Sequence, residues 1–153
     1  MRIGKLAAPV VAVTLAFGVV AAGPAAAINN IKPFGTQEKL QGFGSGEIGY
    51  TVDGLAPSSD PIPYPVAGAL YEATVTVEAL QGWVVPVIPY FNARAESGQN
   101  YQVIMVDTPG GLSGAAVAPG EQATGKLYFD VVGDTPNSVV VNNGTEDLLA
   151  WVG

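Results

Sequence analysis

Within Ala69–Leu80, apolar and polar residues alternate without a break from Tyr71 to Ala79. Tyr71, Ala73, Val75, Val77 and Ala79 share one side, and Glu72, Thr74, Thr76 and Glu78 share the other. A period of two sends successive side chains to opposite faces of an extended chain, so the run predicts a strand with one face in a core and one in water. The pattern returns after the Pro119-Gly120 turn, where Leu127, Phe129 and Val131 face inward and Lys126, Tyr128 and Asp130 outward. Further on, Ser138–Asn142 and Asp147–Trp151 flank Asn143-Gly144, a dipeptide suited to the positive φ angles of a tight hairpin turn.

The remaining segments are shorter or interrupted. Gly46–Val52 reads as a strand ending at Asp53-Gly54, and Asn100–Asp107 as a strand before a Gly-rich turn at Thr108–Gly114. Trp83–Ala95 contains Pro86 and Pro89, which predicts a bent or edge strand because proline has no N–H for a ladder. Ala56–Pro65 holds four prolines and reads as a loop. Residues 28–45 are Gly-rich and weakly patterned, a loosely held first strand. No helical period appears after residue 27. The sum is an all-β fold, an antiparallel sandwich of about seven or eight strands in two packed sheets.

The first 27 residues break this pattern. Arg2 and Lys5 precede an apolar run from Leu6 to Ala22, followed by Gly23-Pro24 and Ala25-Ala26-Ala27. Charge, apolar run and small residues in that order are a secretory signal, with cleavage expected between Ala27 and Ile28. The alternative, an uncleaved anchor, needs about 20 apolar residues, and this run is 17 long. The mature chain, 28–153, is then expected to be one domain, soluble and extracellular, with no stable membrane insertion. The sequence has no cysteine, so packing alone must stabilise it.

Without Arg2 and Lys5, four basic residues face thirteen acidic ones, a net charge of −9. Lys32, Lys39, Arg94 and Lys126 are scattered, which argues against nucleic acid or anionic lipid as partner.

The chemical inventory is thin. With neither His nor Cys, the commonest general base and the best nucleophile are missing, and zinc has no ligands. Glu72 and Glu78 lie six residues apart on one strand, roughly 20 Å, against the 5–10 Å or so that a glycosidase pair requires. No catalytic residue and no cofactor is therefore expected. Asn142, Asn143, Glu146 and Asp147 crowd oxygen ligands around a turn and are a weak candidate for a hard cation such as Ca²⁺, although the spacing matches no calcium loop. Asn143-Gly144-Thr145 is also a glycosylation sequon. Tyr90 and Tyr128 are the interface candidates, as outward amphipathic aromatics.

Four strings, YPVAGALYEATVTV (64–77), FNARAESGQNYQV (91–103), GEQATGKLYFDV (120–131) and NNGTEDLLAW (142–151), together resemble the mycobacterial secreted immunogenic protein family, the MPT-sixty-three-like immunoprotective extracellular proteins. The likeness runs from about Gly46 to Trp151; residues 28–45 do not match it. It implies an immunoglobulin-like sandwich, secretion and recognition by a host as antigen, and no established biochemical activity. The expectation is a secreted, non-enzymatic domain that binds host-surface or envelope components, as monomer or homodimer. The alternative is a carrier of a small lipid-like or other ligand, held between the sheets or at the 56–65 loop.

Overall fold

The computed structural model describes residues 30–42 and 45–153; the expected cleavage between Ala27 and Ile28 lies outside the described residues. Ten strands are formed among them: β1 (Ile31–Pro33), β2 (Gln37–Gln41), β3 (Glu47–Val52), β4 (Ala56–Pro57), β5 (Ala69–Gln81), β6 (Phe91–Ala95), β7 (Asn100–Gln102), β8 (Gln122–Val131), β9 (Pro136–Asn142) and β10 (Asp147–Val152). One sheet has the order β1-β10-β9-β6-β7. In the other, β5 is the hub: β8 pairs with one edge, β3 and β4 share the opposite edge, and β2 lies outside β3. The two sheets pack as an immunoglobulin-like β-sandwich.

The alternating run at 69–80 forms the long strand it predicts, pairing in continuous antiparallel register with β8 from Ala69↔Val131 to Glu78↔Gln122. Its apolar side closes on the core, where Ala73, Val75, Val77 and Ala79 are buried. Tyr50, Phe91 and Trp151 form the aromatic centre. Tyr50 meets Phe91 edge-on at 5.3 Å, and Phe91 stacks on Trp151 at 6.5 Å.

Four expectations are corrected. Ten strands replace seven or eight because β1 and β4 are edge pairings of three and two residues, too short to leave a period. One of those, β1, runs parallel to β10, so the sandwich is not wholly antiparallel. The Trp83–Ala95 run is broken at its prolines as expected, but its strand, Phe91–Ala95, is not at an edge; it lies between β9 and β7. Its prolines stand before the ladder, with Pro89 inside a 3-10 turn at Ile88–Tyr90. The strand expected at Asn100–Asp107 ends at Gln102, after which Val103 and Ile104 cross to β8.

The N-terminal segment is a clasp across both sheets. β1 joins the first sheet, β2 joins the second, and the Phe34–Thr36 turn connects them, with Gly35 at φ +89°. The Trp151 indole N–H donates to the Thr36 carbonyl at 2.7 Å, fixing that turn to the core.

Candidate functional site

In β6, Phe91, Ala93 and Ala95 point into the sandwich, so Asn92 and Arg94 must point out. In β7, Tyr101 points in and Asn100 and Gln102 point out. Antiparallel register sets Asn92 opposite Gln102 and Arg94 opposite Asn100, gathering four long polar side chains on one outer face. The β9–β10 turn adds Asn142 and Asn143, and the 3-10 turn adds Tyr90. Together they line an open groove of about 510 Å³.

A continuous chain of hydrogen bonds holds its floor. Asn92 donates to the Tyr90 carbonyl (3.1 Å), Asn100 donates to Asn92 (3.0 Å), and Arg94 Nε donates to Asn100 (3.1 Å). Arg94 then grips both oxygens of Asp147 at 2.7 and 3.0 Å, and Asn142 donates to the same carboxylate at 2.6 Å. The Arg94 guanidinium holds the Asp147 carboxyl below its ordinary range, burial opposing and Asn142 assisting. The ion pair cancels the one positive charge on the face, so what the groove presents is neutral amide, N–H and C=O together.

Three of the four turn residues proposed for a cation, Asn142, Asn143 and Asp147, have side-chain oxygens engaged within the protein; no such bond is formed by the Glu146 carboxylate among the described residues. Asp147 is paired to Arg94, Asn142 Oδ1 accepts the Gly144 N–H, and Asn143 Oδ1 accepts the N–H groups of Thr145 and Glu146. Among the described residues no group of three or more His, Cys, Asp or Glu side chains could hold a metal.

The two tyrosine candidates part company. Tyr90, half-buried, sits in the groove wall. Tyr128 does face outward from its sheet, yet only 3% of it is exposed, because the 56–65 loop folds over it. Its hydroxyl donates to Asp60 at 2.8 Å. Asp60 and Glu72 both grip Lys126 at 2.7 Å, which raises the Lys126 pKa above its ordinary value and lowers that of Asp60. A larger cleft of about 580 Å³ opens beside this cluster, walled by the 104–114 loop. Its Lys126 is held by Asp60 and Glu72, whereas the amide groove carries Gln102, whose carboxamide makes no side-chain hydrogen bond among the described residues. A third, apolar pocket of about 190 Å³ adjoins the groove and shares Tyr90 and Asn143 with it.

Reading the sequence singled out Tyr90 as an interface candidate and Asn142 with Asn143 as cation ligands, and did not bring the tyrosine and the turn together. It passed over Asn92, Asn100 and Gln102, and noted Arg94 only as an isolated charge. The available signal was the polar alternation in 91–95 and 100–102, which becomes a surface only once the two strands are set in register.

Fold and face define the class: an immunoglobulin-like β-sandwich with an open amide-lined groove on one sheet. Residues 29–151 match the family described as Domain of unknown function (DUF1942), and the chain belongs to that family. That match begins at residue 29 and so takes in 29–45 as well, upstream of the strings that carry the likeness. Immunogenic protein MPB63 of Mycobacterium bovis and immunogenic protein MPT63 of Mycobacterium tuberculosis are each 50% identical over 106 residues, 68% of this chain and 67% of theirs. The crystal structure of MPT63, titled a secreted protein, superposes with a TM-score of 0.78 at 43% identity, covering 84% of this chain and all of that one. The yjhA protein of Bacillus subtilis shares the fold at a TM-score of 0.53 and 16% identity, over 72% of this chain and 80% of its own.

Proposed function

We propose that this chain is a secreted, non-enzymatic binding domain that recognises a host-surface or envelope component through the groove of Tyr90, Asn92, Asn100, Gln102 and Asn143. Secretion and antigenicity are supported by its immunogenic and secreted relatives and by the signal-like first 27 residues. The observation that carries the binding reading is the hydrogen-bonded chain from Tyr90 to Asn142. It orders polar side chains on the outer sheet face, with Asn92 buried and both Asn100 and Gln102 exposed, before any ligand arrives, and preorganisation lowers the entropic cost of binding. Placing the ligand on this face suits a core already filled by Tyr50, Phe91, Phe129 and Trp151, all fully buried.

The test is hydrogen–deuterium exchange with and without envelope or host-matrix extract. Slowed exchange confined to 89–102 and 142–144 is the expected result. Protection confined to β5 and β8, or none anywhere, would overturn the reading.

A further inference from the structure

The amide groove and the apolar pocket beside it are two chambers with a common wall. Tyr90 and Asn143 line both. On the groove side stand the carboxamides of Asn92, Asn100 and Gln102. On the pocket side stand Leu40, Val85 and Leu148. A ligand complementary to both chambers needs a hydrogen-bonding head and an aliphatic appendage. We infer that the site takes a neutral sugar carrying an alkyl or acyl chain, with the sugar on the amides and the chain in the pocket. This rests on the groove being the binding surface.

Each half of the ligand follows from chemistry. Carboxamides donate and accept at once, as hydroxyls do, so an amide row matches a polyol. An anionic head is disfavoured because Arg94 is already neutralised by Asp147 and the chain's net charge is −7. The Tyr90 ring, at the boundary, offers an apolar plate to the C–H face of a sugar or the first methylenes of the chain. Val85 is 50% exposed although it is apolar, as expected of a pocket wall awaiting a partner.

The probes are n-octyl β-glucoside below its micellar concentration, methyl β-glucoside, and n-octyl sulfate, titrated against full-length protein and followed by amide and methyl NMR. The octyl glycoside is expected to shift Asn92, Asn100 and Gln102 side-chain amides together with Leu40, Val85 and Leu148 methyls. It should bind at least about tenfold more tightly than methyl glucoside, since burying two methylenes suffices for that factor. Val85→Asp should narrow the ratio between octyl and methyl glucoside affinities, weakening the octyl glycoside several-fold more than the methyl one. Gln102→Ala should weaken both glucosides by a common factor.

Octyl sulfate binding as tightly as octyl glucoside would overturn the sugar assignment. Equal affinity for the two glucosides would overturn the chain assignment. No shift with any probe, while extract still protects 89–102 and 142–144, would sink this inference and leave the binding surface standing. Loss of both signals would sink both.

Discussion

Arg94 and Asp147 come from strands that do not pair with each other, yet their side chains meet in a two-bond fork across β9, at 2.7 and 3.0 Å. Side-chain exposure of 25% and 13% places this fork at the edge of solvent, where it acts as the keystone of the groove floor.

Asp147→Asn should therefore cost about 2 kcal/mol at neutral pH, the range for a hydrogen bond to a charged group, measured as a shift in urea midpoint. Because the folded carboxyl sits below its ordinary value of 3.8, the pair contributes fully above that value. Its contribution fades as pH falls through the lower, folded value, so variant and native protein should converge in strong acid.

Glu38 behaves oppositely. Only 5% exposed, with Oε2 lacking a partner, its carboxyl is pushed up from 4.5 to about 7, chiefly by desolvation. The charged form is penalised in the fold, so no penalty exists below about pH 4.5, and it grows to its full value above about pH 7. Native protein should lose at most about 3 kcal/mol from this group between those limits. Glu38→Gln should lack that slope, read from unfolding midpoints at pH 4.5 and 8. Parallel profiles for the two proteins would contradict the assignment.

Trp151 has two roles that substitution separates. Trp151→Phe keeps most of the packing against Phe91 and loses the bond to Thr36, an expected cost of about 1–2 kcal/mol. Trp151→Ala empties a fully buried site and should cost about 3–5 kcal/mol. The Phe variant should also speed hydrogen exchange in 31–40, where the clasp depends on that bond.

The sequon bears on the groove. Asn143 is exposed and lies in the wall between groove and pocket. Protein made in a eukaryotic secretory host and glycosylated at Asn143 should lose extract binding, and Thr145→Ala from the same host should regain it. Equal binding by both forms would place the ligand elsewhere.

The fold was legible where one face of a strand is buried and the other wet, as in 69–80 and 122–131, because burial imposes the period directly. The clasp at 31–41 was not, since β1 is exposed along its whole length and β2 buries only one residue fully. Pro86 and Pro89 suggested a bent or edge strand; they do break the run, but the ladder begins just after them, at Phe91, in the interior of its sheet. Tyr128 was correctly placed on the outer face; its cover comes from Asp60 in a Pro-rich loop whose path no periodicity reveals. The groove is a product of register between strands, and register is a tertiary property. Only its turn, Asn142–Asn143, announced itself locally.

The central claim is that the β6–β7 outer face binds. Extract binding should be measured by surface plasmon resonance for the native protein, for Tyr90→Ala combined with Gln102→Ala, and for Thr76→Ala combined with Glu78→Ala on the opposite sheet. A loss of at least about tenfold for the first pair, with the variant still cooperatively folded at the assay temperature, and no loss for the second, is the predicted result. Undiminished binding by the Tyr90 and Gln102 double variant would contradict the account.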